Sequence, residues 1–184
     1  MSDHAQALCE RAKQGDMAAA SELVARFYER IFAYFRRLAG NDEDAADLTQ
    51  KTFFKVWVSL ASYQNRSSFS TWLHGIAHHV YVDWRRKKNL TEAESDEWWE
   101  ACAAGGPNPS EDASEREAAK HIYSLVERLE DGARQTIHLH YYQGLSISET
   151  AEALNIATST VKYRLREALD FLRAKTLEPQ FRKT

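Results

Sequence analysis

Apolar residues at Leu23, Phe27, Ile31, Phe35 and Leu38 fall three or four positions apart, the spacing that gathers side chains on one stripe of an α-helix. This predicts a helix from about Ala18 to Ala39, stopped by Gly40 and Asn41. A second helix is expected from about Asp42 to Ala61, with Asp42, Glu43 and Asp44 in the first turn, where they complement the helix dipole. Its Leu48, Thr52, Val56 and Leu60 can face a core, yet Phe53, Phe54, Trp57 and Val58 extend around the cylinder. That is too wide for one buried stripe. Either the helix is covered on most sides or it offers apolar surface to a partner.

The polar stretch SYQNRSS (62–68) reads as a turn, followed by a long helical pattern from Phe69 to about Lys88. Trp72, Ile76, Val80 and Trp84 repeat every fourth residue and mark its expected buried side; His79, Asp83 and Arg86 lie opposite. The closing run of Arg85, Arg86, Lys87 and Lys88 fits either a dipole complement or a phosphate-binding end. Thr91 and Glu94 have capping-box spacing for a short acidic helix through Trp98 and Trp99, which GGPNPS (105–110) ends. Further on, Ile122, Leu125, Val126 and Leu129 define a helix, EDG (130–132) a turn, and Ala133 to Gln143 another helix before Gly144. No segment alternates as a strand does, so the expected fold is all-α, two units of three or four helices each.

The stretch SETAEALNIATSTVKYRLREAL (148–169) carries the most specific signal. Ser146 or Ser148 can cap a short helix, with Glu149 in capping-box register to Ser146 and Ala151 and Leu154 facing inward. Asn155, Ile156 and Ala157 form a turn. Thr158 or Ser159 then caps a second helix whose Val161, Leu165, Ala168 and Leu172 keep the core rhythm. Its remaining face presents Lys162, Tyr163 and Arg166 near the N-terminus, the part of a recognition helix that meets base edges in a major groove. A plain helical hairpin has no need of a capped, basic first turn.

The net charge of −3 conceals a division along the 184 residues. Residues 1–88 hold 13 basic against 10 acidic side chains, residues 89–118 hold 1 against 9, and residues 119–184 hold 10 against 8. Two mildly basic parts with an acidic connector can still bind phosphates on a local face. No apolar run reaches the roughly 18 residues of a membrane span, and the N-terminus lacks a signal-peptide core; a cytoplasmic location is expected. Cys9 and Cys102 stand far apart and outside any CxxC, which suits a reducing compartment and assigns them no chemistry. His74 and His78 are four apart, but no cysteine or carboxylate pattern completes a metal site. Without a phosphate loop, nucleophile elbow or acid/base pair, neither catalysis nor a cofactor is expected.

Two stretches together resemble the extracytoplasmic-function (ECF) sigma factors of the sigma-70 family, two-domain initiation subunits of bacterial RNA polymerase. They are DEDAADLTQKTFFKVWVSLASYQNRSSFSTWLHGIAHHVYVDWRRKK (42–88) and LEDGARQTIHLHYYQGLSISETAEALNIATSTVKYRLREALDFLRA (129–174). The resemblance implies a region 2 domain at 1–90, an acidic linker at 91–115 and a region 4 domain at 116–184. It places Asp47, Gln50, Lys51, Phe54 and Trp57 against the beta-prime clamp helices of core polymerase, Lys51 standing where the family usually has an acid. It implies that Asn65, Arg66, Ser67 and Phe69 belong to the loop that captures a flipped base. His79, Asp83 and Arg86, with Arg85 and Lys87, would meet the minus-ten element, His79 replacing a common Asn. Lys162, Tyr163 and Arg166 would read the minus-thirty-five element, while Ser159, Thr160 and Arg164 hold phosphates. Expected partners are the polymerase core, including its beta flap, promoter DNA and an anti-sigma protein. The rival from another class is a stand-alone helix-turn-helix regulator, which has no reason to expose Phe54 or Trp57.

Overall fold

The computed structural model describes residues 2–91 and 121–177. Their helices are α1 (Ser2–Lys13), α2 (Met17–Ala39), α3 (Asp42–Ser59), α4 (Phe69–Thr91), α5 (Asp131–Ile137), α6 (Ile147–Leu154) and α7 (Thr158–Leu177). A short helical segment covers 121–126. A 3-10 turn at Leu60–Ser62 follows α3, and a π-helical turn at His138–Tyr142 extends α5. No strand occurs among the described residues.

Local chemistry accounts for most of the boundaries. Asp16 accepts from the backbone N–H groups of Ala18 and Ala19 to start α2, and Gly40, at φ 83°, ends it in the left-handed conformation that lacks a Cβ penalty. Asn41 then caps α3 through Asp44 N–H. Ser146 and Glu149 form the reciprocal capping box of α6, and Asn155, left-handed at φ 52°, closes it. Both belong to the pattern that the sequence predicts. Two starts differ from expectation. Glu130 precedes α5 and Asp131 and Gly132 lie in its first turn, so EDG begins a helix rather than a turn. The Ala157 carbonyl accepts from Thr160 and Val161, placing Thr158 inside α7 instead of at its cap. Thr91 closes α4; Glu94, Trp98 and Trp99 lie outside the described residues.

The predicted stripe of α2 is buried throughout, as are Leu48, Thr52, Val56 and Leu60. The buried side of α4 is not the expected one. Leu73, His74, Ala77 and Tyr81 are fully buried with Val80, whereas Trp72, Ile76 and Trp84 are only partly covered. The reason is that α4 is covered twice, by α1, α2 and α3 on one side and by α6 on the other. Leu139, Leu145, Ala153 and Leu154 from the C-terminal half accordingly join the N-terminal core. A second core gathers Val126, Ala133, Ile137, Ala151, Val161, Leu165 and Ala168 between α5, α6 and α7. Ile122, expected inside, is 43% exposed.

Candidate functional site

The outer face of α3 leaves its apolar surplus uncovered. Phe54 is 69% exposed, Val58 71% and Trp57 40%, which decides between the two readings of this helix. An open groove of about 710 Å³ runs beside them, lined by Val24 and Tyr28 of α2 and by Asp47, Gln50, Phe53, Phe54 and Trp57. Tyr28 stacks with Phe53 at 6.2 Å and Phe32 at 6.3 Å, which stiffens one wall. On its other side Phe54 borders a hollow between α3 and α4 that includes Gln50, Lys51, Lys55, Asp83 and Lys87. Phe54 is therefore a knob between two depressions. The Lys51 ammonium pairs with Asp47 one turn back, so the two charges offset each other on the same face. Tyr28 and Lys55 are lining residues that periodicity did not single out; the exposed aromatic one turn beyond Val24 was the available signal for Tyr28.

The segment before α4 is held from several directions. Asn65 adopts φ 56° and donates from Nδ2 to Glu10 Oε1 at 2.7 Å. That bond and the nearby Lys13 ammonium hold the Glu10 carboxyl below its ordinary pKa. The Tyr63 hydroxyl donates to the Ser67 carbonyl at 2.7 Å. Phe69 corrects the sequence reading, because it is buried and packs on Phe27, Trp72 and Tyr63 at 5.3, 5.7 and 5.9 Å. It anchors the loop from the core side. Asn65 and Arg66 are exposed and Ser67 half-buried. Along α4, His79, Asp83, Arg86 and Lys87 are exposed as predicted, and Arg85 is half-buried. His79 Nδ1 lies 2.7 Å from the Gly75 carbonyl, to which it donates, leaving Nε2 facing outward. Asp83 pairs with Arg86 at 3.4 Å and with Lys55 at 3.6 Å, weak exposed contacts that a ligand can rearrange.

In the helix-turn-helix formed by α6 and α7, Ser159, Lys162, Tyr163 and Arg166 are exposed and Thr160 is half-buried. The Arg166 guanidinium lies 5.8 Å from the centre of the Tyr163 ring, which restrains two side chains on one face. Arg164 turns inward. Its guanidinium would stand 2.8 Å from a Cβ on Gly132, so the glycine makes room for it. The paired histidines also separate. His74 is buried with Nδ1 on the Ser70 carbonyl, while His78 meets Gln135. No group of three or more His, Cys, Asp or Glu side chains suited to a metal occurs among the described residues.

Family comparison agrees with this arrangement of elements. The sigma-70 region 2 model matches residues 23–91, and the sigma-70 region 4 model residues 119–172. The chain is 30% identical over 172 residues to the ECF RNA polymerase sigma factor SigW of Bacillus subtilis, covering 89% of this chain and 92% of that protein. The chain is an ECF sigma factor of the sigma-70 family. Identity to the ECF sigma factor SigE of Mycolicibacterium smegmatis is 31% over 163 residues, covering 86% of this sigma factor and 63% of that one. The fold is shared with CnrH, solved with the cytosolic domain of CnrY (TM-score 0.70, 24% identity, 94% and 97% coverage). It is shared equally with RpoE of Bartonella quintana, solved with the anti-sigma factor NepR (TM-score 0.72, 21% identity, 86% and 97% coverage). No described helix of this sigma factor is long and apolar enough to cross a membrane.

Proposed function

We propose that this sigma factor binds core RNA polymerase through the α3 face, directs it to promoters with two DNA-reading surfaces and assists strand melting, with no catalytic step of its own. The observation that carries the reading is the Phe54–Trp57–Val58 surface of α3, held on the same chain as an exposed Lys162–Tyr163–Arg166 face. A duplex-binding regulator needs only the second. Asp47, Gln50, Lys51, Phe54 and Trp57 meet the polymerase clamp. Asn65, Arg66 and Ser67 surround the extruded base, whose unstacking costs a few kcal/mol that contacts to the loop offset. His79, Asp83, Arg85, Arg86 and Lys87 follow the minus-ten strand. Lys162, Tyr163 and Arg166 read the minus-thirty-five element, and Ser159 and Thr160 support phosphates, while Arg164, expected to do the same, packs against Gly132 instead.

The corresponding division is a region 2 domain at 1–90, a linker at 91–115 and a region 4 domain at 116–184. The setting is the cytoplasm, where transcription takes place. An anti-sigma protein is a further partner on this reading, supported by the bound partners of the two structural relatives. Reconstituted transcription tests the function: purified protein added to sigma-free bacterial core enzyme should start RNA at defined sites on templates carrying candidate promoters. Absence of specific initiation on every template, with duplex binding retained, would favour the regulator.

A further inference from the structure

We propose that α1 sets which base this sigma factor captures. Glu10, braced by Lys13, turns the Asn65 side-chain amide so that its carbonyl oxygen is left for the extruded base, which selects adenine or cytosine. Asn65 touches the base; Glu10 and Lys13 are positioning residues. This rests on the base-capturing role proposed above and deepens it.

The helix α1 precedes residues 23–91, the stretch that the region 2 model matches, and docks on the N-terminal core through Ala5, Leu8 and Cys9. Its last turn meets the loop. Lys13, whose side chain is only 17% exposed, donates to Glu10 Oε1 at 2.9 Å and to the Tyr63 carbonyl at 2.6 Å. Its ammonium also lies 5.2 Å from the centre of the Tyr63 ring. The same Glu10 oxygen accepts from Asn65 Nδ2. An exposed ion pair by itself stabilises little, but this one is tied to the backbone at Tyr63 and to Asn65 at φ 56°. A left-handed residue other than glycine persists only where its surroundings hold it. Tyr63, buried and stacked on Trp72 at 4.8 Å, secures the far end through the Ser67 carbonyl. The loop is thus pinned at its start, middle and end, and such preorganisation lowers the ordering cost of binding.

The chemistry of the Glu10 contact decides the rest. An ionised carboxylate only accepts hydrogen bonds, so Asn65 Nδ2 points at α1 and Oδ1 points away from it. Among the described residues no donor meets that oxygen, and the side chain is exposed. A flipped base is read by hydrogen bonds along its Watson–Crick edge. An acceptor there matches the exocyclic amine of adenine at N6 or of cytosine at N4. Thymine O4 or guanine O6 in the same place would set two acceptors against each other, leaving both without a donor.

The test is made on holoenzyme reconstituted from core polymerase and the full chain, binding minus-ten single strands that carry each of the four bases at each position. The captured position is the one where Asn65→Ala removes discrimination. There the wild type should favour adenine or cytosine over thymine and guanine roughly tenfold. Glu10→Gln, whose amide can offer either face to Asn65, should flatten that preference, and Lys13→Met should reduce it. Glu10→Lys, which only donates, should reverse it toward thymine or guanine. With Asn65→Ala already present, neither Glu10 variant should alter the base profile. Glu10→Gln is isosteric, so it decides the matter even if Glu10→Lys disturbs the docking of α1. A wild-type preference for thymine or guanine, no position that depends on Asn65, a preference that survives Glu10→Gln, or equal weakening across all four bases would each overturn the inference while promoter-specific initiation persists. Lack of promoter-specific initiation by the wild-type holoenzyme would instead refute the sigma reading and base selection with it.

Discussion

Phe54→Ala separates binding from folding more cleanly than any other substitution on α3. A Phe side chain buries about 150–250 Å² when covered, and Phe54 leaves 69% of its surface free, so on the order of 100–170 Å² awaits a partner. At ~25 cal/mol per Å² that area is worth about 2.5–4 kcal/mol; ordering the side chain and its neighbours costs about 1 kcal/mol. A net loss of about 2 kcal/mol weakens core polymerase binding roughly thirtyfold. Because so little of Phe54 is buried in the free protein, stability should change by no more than about 0.5 kcal/mol. Val56, two positions away and 2% exposed, should behave oppositely. Val56→Ala should lower folding stability by about 2 kcal/mol through its cavity and leave affinity per folded molecule alone. Fluorescence anisotropy with labelled protein and sigma-free core enzyme measures the first quantity, urea denaturation the second. Unchanged affinity for Phe54→Ala, with the folded state intact, would refute the assignment of this face.

Arg166→Ala should reduce upstream-element binding in a sequence-selective way by about 1–3 kcal/mol, and a uniform loss across a panel of duplexes would assign Arg166 to phosphate instead. Neutralising Arg86 and Lys87 should lower the salt slope of minus-ten single-strand binding by roughly 0.7 for each phosphate left without its cation; an unchanged slope would leave both as helix-end charges. Burial pushes His74 down to about 4 from an ordinary 6.5, so below pH ~6.5 the unfolded chain binds a proton that the native state refuses. Stability should therefore fall with pH, by ~1.4 kcal/mol per unit from this residue between about 6.5 and 4. Unfolding free energies from urea denaturation at pH 7 and pH 5 should differ by about 2 kcal/mol less in His74→Leu than in wild type, and an equal difference would show His74 to be solvated.

The sequence by itself determined most of the helices from α2 onward, several of their caps and the composition of their faces, because those depend on residues three or four positions apart. The Ser146–Glu149 capping box, the left-handed stop at Gly40 and the buried stripe of α2 are all local in this sense. The outward set of Lys162, Tyr163 and Arg166 follows from the same periodicity once Val161, Leu165 and Ala168 take the core. Periodicity does not say what covers a face. On α3 it left two readings open until the packing of α2 and α4 left Phe54 and Val58 bare. On α4 it chose Trp72, Ile76 and Trp84 because they are the largest apolar residues at one spacing. The tertiary structure instead covered two sides, burying Tyr81 against Asp131 and Arg134 from the far half of the chain and His74 beside Tyr34 of α2. Phe69 went to the core for the same reason: Phe27 and Tyr63 meet it there, and neither contact is written in its neighbours along the chain. The docking of α6 on α4 is likewise a decision between distant surfaces, and only the folded molecule places Glu149 over Thr71.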